Sequence, residues 1–91
     1  MIKKKNYVNG QRICELTGDR LTYYFKSGTV KAEGSFINDV MEGEWRFFRE
    51  TGELCQIGNF RNGIKNGLWI RYDKKGNTEY CKMFLEGKAV K

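Results

Sequence analysis

The sequence predicts an all-β protein, an elongated and twisted antiparallel meander of stacked 24-residue β-hairpin repeats. Three observations predict this fold. Glycines and aromatic residues recur at one fixed spacing along the chain, and turn-forming residues close each unit at both ends. The chain also has 11 glycines and no proline, a composition typical of many tight turns in a sheet.

The repeat is defined by columns of residues that keep one register over three units. Gly28, Gly52 and Gly76 are evenly spaced and form one column, which sets the period. Leu21 takes the tryptophan position of the first unit. The other columns are Gly34 with Gly58, Gly43 with Gly67, Gly63 with Gly87, Trp45 with Trp69, Phe36 with Phe60 and Phe84, and Tyr24 with Phe48 and Tyr72. One glycine coincidence would carry little weight, but several columns in one register indicate a true repeat.

A single unit has the pattern of one hairpin and a connector. Residues 44–50 are rich in aromatic residues and predict an outgoing strand, and Thr51-Gly52 predicts a short turn. Residues 53–61 form the returning strand, and residues 62–67 contain two Asn-Gly pairs that favour tight turns. Three units therefore predict six strands, or seven with an extra N-terminal strand, and at most one helical turn.

A length of 91 residues has room for one domain with a modest core. We predict a single domain over residues 1–91, in which residues 1–20 are a degenerate N-terminal strand or cap. The repeats are then 21–43, 44–67 and 68–91. Within the cap, residues 11–16 are expected to form a strand that covers the first edge of the sheet.

Two mid-strand glycines predict how the repeats pack. Gly34 and Gly58 weaken β pairing unless a large side chain needs the space, so an aromatic ring of a neighbouring strand is expected on that bare backbone. Trp45 and Phe48 have opposite parity along one strand, which predicts a bulge or a strong twist between them.

The third unit departs from the pattern. Lys82 replaces the mid-strand glycine, and Cys81, Met83 and Leu85 make the opposite face of that strand apolar. Terminal repeats differ from the others because they cap the stack, so residues 81–85 are interpreted as the closed end of the sheet. The alternative is an exposed apolar patch for a partner or a second copy of the chain.

The net charge of +6 lies mainly at the two ends of the chain. Lys3, Lys4 and Lys5 supply three units and residues 82–91 supply two, which leaves +1 on residues 6–81. This distribution is more typical of solubilising tails than of a positively charged binding face.

The residue types that most enzymes and metal sites need are scarce. The chain has no histidine, and Cys14, Cys55 and Cys81 form no C-x-x-C pair, so we expect no catalytic site, no metal and no cofactor. No apolar run approaches the length that spans a bilayer, and no apolar stretch follows the N-terminal lysines as in a signal peptide. The cysteines fit small hydrophobic residues in a reducing compartment, so the predicted location is cytoplasmic, without membrane insertion.

The repeat pattern resembles a known family. The second unit reads Phe60-x-x-Gly63-x-x-x-Gly67-x-Trp69-x-x-Tyr72-x-x-x-Gly76, and the first matches it with Asp39 in place of a glycine. Over residues 21–87 the chain is similar to the MORN-repeat-variant proteins of bacteria, which include YwqK-type antitoxins. The resemblance implies stacked MORN-like hairpins in one twisted sheet and an interaction scaffold, with antitoxin or immunity roles in some members. It carries over no catalytic residue.

Two function classes follow from these observations. The leading hypothesis is a small protein-binding inhibitor or antitoxin-like module of bacterial or phage origin, for which a homodimer is possible. The alternative is a platform for RNA or single-stranded nucleic acid, where aromatic residues stack on bases beside arginines. Attachment to anionic membrane surfaces is a third reading, supported only by the N-terminal lysines. The candidate partner-binding residues on the outgoing strands are Tyr23, Phe25, Arg46, Phe47, Arg49, Ile70 and Arg71.

Overall fold

The computed structural model describes residues 6–90, which form one sheet of nine antiparallel strands. The strands are β1 Cys14–Thr17, β2 Arg20–Tyr24, β3 Val30–Ile37, β4 Val40–Phe48, β5 Leu54–Arg61, β6 Ile64–Lys65, β7 Gly67–Tyr72, β8 Thr78–Leu85 and β9 Lys88–Val90. Neighbours in the sheet follow chain order, except that the short β6 pairs only with β5. The predicted all-β antiparallel meander is confirmed, and the N-terminal lysine cluster lies outside the described residues.

The described strands outnumber the six or seven that were predicted. The prediction was wrong because the connectors were expected to turn throughout, whereas only two residues of each connector turn. These pairs are Asn38-Asp39, Asn62-Gly63 and Glu86-Gly87, in which all six residues have positive φ. Positive φ at both central residues is the hairpin turn whose twist matches that of the flanking strands. Pairing therefore resumes at once, which starts β4 early and adds β6 and β9.

The N-terminal cap supplies the edge strand that the sequence predicted. β1 pairs with β2 and places Cys14 opposite Tyr23. Upstream, the hydroxyl of Tyr7 donates a hydrogen bond of 2.8 Å to the carbonyl oxygen of Tyr24. The described part of the cap is thus attached to the first hairpin at both of these places.

The period of the repeat recurs in the hydrogen bonds between successive connectors. In each case a turn residue donates its N–H to the connector before it. The backbone bonds run from Gly63 to the Met41 carbonyl (3.0 Å) and from Gly87 to the Lys65 carbonyl (2.8 Å). The side-chain bonds run from the Asn62 N–H to Glu42 Oε1 (2.7 Å) and from the Glu86 N–H to Asn66 Oδ1 (3.1 Å). Each hairpin is therefore tied to the previous one at its turn.

Each tryptophan lies across the bare backbone of a glycine on the preceding hairpin, Trp45 on Gly34 and Trp69 on Gly58. A Cβ atom on either glycine would lie well under 3.0 Å from indole carbons, a separation that real Cβ atoms essentially never show. Each indole N–H also donates a hydrogen bond of 2.9 Å to the carbonyl oxygen of the residue after that glycine. The predicted ring-on-glycine packing is confirmed.

Bulges recur with the same period as the tryptophans. The pairing register shifts between Tyr23 and Tyr24, between Phe47 and Phe48, and between Arg71 and Tyr72. The expected bulge between Trp45 and Phe48 is therefore confirmed. Because bulges increase the local right-handed twist, the sheet curls around its tryptophans.

The core lies on the side of the sheet that carries the tryptophans. Trp45 is 0% exposed and Trp69 is 3% exposed, although the described residues form a single sheet with no second layer. Leu21 and Ala32 are buried beside Trp45. The side chains that pack partly buried against this cluster are Cys14, Tyr23, Phe36, Met41, Phe47 and Phe60. A large share of the aromatic side chains therefore serves the core.

We expect Gly34→Val and Gly58→Val to destabilise the fold, each by about 1–3 kcal/mol, because the new side chain overpacks the site under the indole. In an ordinary strand the same change would stabilise, since valine has the higher β propensity. Thermal unfolding of the two variants measures the effect, and a raised midpoint for both would contradict this packing.

A double-mutant cycle tests the contact itself. Trp69→Leu withdraws the ring from Gly58, so the cost of Gly58→Val should shrink in that background. Gly34→Val, which lies under the other tryptophan, is the matched control and should cost the same in both backgrounds. Simple additivity of Gly58→Val and Trp69→Leu would rule out the contact as the cause.

Candidate functional site

The sheet has two faces with different chemistry. We call the face that carries Trp45 and Trp69 the tryptophan face, and the opposite side the reverse face. Because side chains alternate along a strand and pair across neighbouring strands, directly paired residues form rows that cross the sheet. These rows place residues from distant parts of the sequence side by side.

One row on the tryptophan face brings aromatic and polar side chains together beside the tryptophans. Its members pair in succession from β1 to β8, and we call it the Tyr23–Tyr80 row. They are Cys14, Tyr23, Ala32, Phe47, Gln56, Arg71 and Tyr80. This row is the candidate functional site.

Phe47 lies between the two indoles at the centre of the row. Its ring centroid is 6.4 Å from that of Trp45 and 6.0 Å from that of Trp69, and it is stacked on the latter with an interplanar angle of 29°. The ring of Tyr23 lies 6.4 Å from Trp45 on the other side. Tyr23 and Phe47 are half-buried, so each ring packs against the core and is also partly open to solvent.

Arg71 is held in place by two neighbours. Its Nε donates a hydrogen bond of 3.0 Å to Glu79 Oε1, and its Nη1 donates one of 3.3 Å to Gln56 Oε1. At the end of the row, Tyr80 is 39% exposed, and Lys82 Nζ lies 5.1 Å from the centroid of its ring. The guanidinium is therefore oriented before any partner arrives, and its charge is balanced by a carboxylate.

Burial sets the protonation of the first two residues of the row. Desolvation raises the pKa of the Cys14 thiol. The pKa of Tyr23 is also raised, mainly by desolvation and to a smaller extent by the negative charge of Cys14 when that thiol is ionised. Both groups therefore stay neutral at neutral pH. A neutral thiol is a poor nucleophile, and a neutral phenol can donate a hydrogen bond to a partner.

The seven predicted partner-binding residues do not form one surface. Tyr23, Phe47 and Arg71 lie in the row. Arg46 and Ile70 lie on the reverse face, since each is the direct neighbour in sequence of a residue on the tryptophan face.

Phe25 and Arg49 lie at the hairpin turns, in equivalent positions of successive repeats. Both make the same backbone turn, in which a glycine three residues later donates its N–H to their carbonyl oxygens. Arg49 Nη2 donates a hydrogen bond of 2.9 Å to the carbonyl oxygen of Tyr72. This contact ties the second hairpin to the third at their turns.

Gln56 and Tyr80 belong to the row but were not predicted as site residues. The prediction considered only outgoing strands, whereas these two residues occupy equivalent positions on the returning strands β5 and β8. The signal was present in the hairpin register, because the short turn at Thr51-Gly52 brings residue 56 opposite Phe47.

Glutamates neutralise most of the arginines. Residues 6–90 contain four ion pairs: Arg12–Glu15 at 3.0 Å, Arg20–Glu33 at 3.6 Å, Arg46–Glu44 at 3.1 Å and Arg71–Glu79 at 3.0 Å. Each involves a different arginine and a different glutamate. The cations that lie beside aromatic rings of this face outside these pairs are lysines: Lys65 Nζ is 4.5 Å from the ring centroid of Trp69, and Lys82 Nζ is 5.1 Å from that of Tyr80.

Two further observations concern the described residues alone. Between residues 6 and 90, no group of three or more histidine, cysteine, aspartate or glutamate side chains is placed to hold a metal ion. The same part of the chain contains no helix that could cross a membrane.

The curled sheet, the tryptophans on glycine and the connector bonds define a repeat protein made of stacked β-hairpins. Residues 20–38 and 41–62 each match the family described as MORN repeat variant. The first match contains the β2–β3 hairpin, and the second contains the β4–β5 hairpin except for Val40, the first residue of β4. The matches support the MORN-repeat family for this chain. No curated protein and no solved structure gives a significant match.

The raised pKa values predict how stability depends on pH. The folded state keeps protons on Cys14 and Tyr23 that the unfolded chain has already released, so stability is fully present below the unfolded pKa values and is lost as pH rises through the folded ones. We expect that in Cys14→Ala the free energy of unfolding falls less steeply between about pH 8 and about pH 10. Urea unfolding across this range measures the slope. Cys81→Ala, at an exposed position, is the control, and equal slopes for the two variants would contradict the prediction.

Proposed function

We propose that this protein is a non-enzymatic protein-binding module and that its partner contacts the Tyr23–Tyr80 row. The observation that carries the proposal is the alignment of half-buried Tyr23, Phe47 and Arg71 with the exposed Tyr80 in one row. These residue types dominate the binding energy of protein interfaces. The rings beside the tryptophans and the hydrogen-bonded Arg71 are already held in place, so little side-chain entropy is lost on binding.

The charge distribution favours a protein over a nucleic acid. Residues 6–81 carry a net charge of only +1, and the arginine of the row is paired with Glu79. Binding to a single strand draws on a basic groove beside stacking rings and loses affinity steeply as salt rises. A row of aromatic residues with a neutralised arginine fits a protein surface better.

Within this proposal, the most specific role is that of a small inhibitor or antitoxin-like or immunity-like protein of bacterial or phage origin, acting in the cytoplasm. The resemblance to YwqK-type proteins supports this role. Such a protein acts by covering its partner's surface, which requires a rigid platform and no chemistry. The free thiols of Cys14, Cys55 and Cys81 suit a reducing compartment.

The experiment begins with capture of the partner from the native host by the tagged full-length chain, followed by affinity measurements on variants. We expect Arg71→Gln and Tyr80→Ala each to weaken binding by about tenfold or more, as for residues at the centre of an interface. Phe47 is a poorer probe, because its truncation would remove packing from both tryptophans.

Arg46→Gln is the matched control, since Arg46 makes an ion pair of similar length on the reverse face. It should change the affinity by less than about twofold. Deletion of residues 1–5 should also leave the affinity unchanged. Loss of binding on this deletion alone, with Arg71→Gln and Tyr80→Ala binding normally, would reject the proposal.

The nucleic-acid alternative has its own measurement. Fluorescence anisotropy with a labelled single-stranded RNA, at low and at moderate salt, should show no specific complex. Tight binding at moderate salt that requires Tyr80 and Arg71 would show that the row binds RNA and would reject a protein as the partner.

A further inference from the structure

The reverse face is mainly polar over one half of the sheet and mainly apolar over the other, where Arg61 and Lys88 are charged residues at the margins. One row of directly paired residues shows the change. It runs Glu15, Thr22, Glu33, Arg46, Ile57, Ile70 and Cys81 from β1 to β8. In the adjacent row, Leu68 pairs with Met83, which pairs with Val90 of β9. The change from charged to apolar residues falls between β4 and β5.

We define the apolar patch as Ile57, Leu68, Ile70, Cys81, Met83 and Val90. Leu68 is 39%, Met83 48% and Val90 49% exposed, and Leu85 at the margin is 61% exposed. None of the six patch residues carries a charge. The polar half can remain exposed to solvent, because its arginines pair with Glu15, Glu33 and Glu44. The prediction that residues 81–85 close the sheet is thus wrong for this face, since these side chains are open.

We propose that the apolar patch is covered by a second copy of this chain in a two-fold symmetric dimer. A sheet with an apolar face is stabilised by packing that face against another layer, and residues 6–90 supply none. Two copies placed patch to patch would form a local β-sandwich, with the sheets about 10 Å apart.

The composition of the patch favours a second copy over a different protein. The patch contains isoleucine, leucine, valine, methionine and cysteine, but no tryptophan, tyrosine or arginine. Homodimer interfaces are more apolar and resemble a divided core, whereas the anchors of other complexes are chiefly tryptophan, tyrosine and arginine. On the tryptophan face, by contrast, residues of these types lie in and beside the Tyr23–Tyr80 row.

Charge also favours self-association at this place. Two copies of a chain with a net charge of +6 repel each other, and this repulsion is smallest where the surfaces that meet carry few charges. The patch lies at the C-terminal end of the strand order. A two-fold axis parallel to the strands would carry the charged half of each copy away from the other copy. The charged halves are then not opposed across the interface.

The size of the patch predicts a weak dimer. It crosses four neighbouring strands, or about 14 Å at the usual strand spacing, and its two rows lie about 7 Å apart along them. That is well below the roughly 800 Å² per partner of stable complexes. The dimer should therefore form reversibly as the concentration of the protein rises.

Sedimentation velocity of the full-length chain, in reducing buffer and over a series from low to high micromolar concentration, tests the proposal. We expect the average mass to rise from monomer towards dimer. Met83→Glu should weaken the association by about tenfold or more, because it buries an unpaired charge. Thr17→Glu adds the same charge to the polar half of the same face and should have little effect.

The reactivity of Cys81 identifies the surface that is covered. In a variant with Cys14→Ser and Cys55→Ser, only Cys81 reacts with a maleimide, and its rate should fall as the protein concentration rises. A chain that stays monomeric at every concentration, or a dimer in which Cys81 reacts at the monomer rate, would overturn the proposal. Protection of Cys81 only by a captured partner would also overturn it and would assign the patch to that protein. Arg71→Gln should leave self-association unchanged, which separates this result from the proposed function.

Discussion

The contact between each tryptophan and the glycine backbone beneath it determines how the repeats assemble. Trp45 belongs to the second hairpin but lies on the returning strand of the first, and Trp69 relates to the second hairpin in the same way. The ring therefore joins repeats instead of stabilising one hairpin internally. Because the glycine has no side chain, the indole reaches the backbone and donates its N–H to a carbonyl oxygen there. A single sheet can in this way bury its largest side chains almost completely.

Burial of this kind requires curvature, and the repeating bulges supply it. They occur just before Tyr24, Phe48 and Tyr72, at the end of each outgoing strand. The extra residue on the opposite strand increases the local twist at the same point of every unit. Flanking rings can then close over the indoles from the side, as Phe60 does in edge-to-face contacts with both tryptophans. Stacking and curvature thus follow from one pattern of residues.

This pattern of glycines, tryptophans and turn residues is visible in the sequence, which is why the fold could be predicted. A glycine in mid-strand, as at Gly34 and Gly58, often marks the close approach of another group, and the Asn-Gly pairs mark tight turns. The lengths of the strands were harder to predict from the sequence. Whether a connector such as residues 62–67 turns throughout or pairs again depends on the φ angles of two residues, and the pattern of glycines alone does not determine them.

The candidate site was only partly predictable, for a reason of geometry. Arg46 and Phe47 are adjacent in one strand, so alternation alone places them on opposite faces, and this could have been recognised beforehand. The membership of Gln56 and Tyr80 in the row depends on the register across several hairpins. The division of the reverse face into charged and apolar halves also requires the order of all the strands in the sheet.

The repeat constrains some positions and leaves their neighbours free, and this difference explains where binding surfaces can arise. The column that makes the stacking contacts on glycine holds tryptophan in the second and third units, at Trp45 and Trp69, and Leu21 in the first. The column beside it varies from unit to unit, as in Tyr23, Phe47 and Arg71, because the row they form only borders the indoles. The reverse face is freer still, since no stacking contact of the tryptophans reaches it. Its residues can therefore change from ion pairs in the first units to an apolar surface in the last without altering the backbone. One repeated framework thus presents two distinct surfaces. The tryptophan face packs against the core, whereas the reverse face does not take part in it.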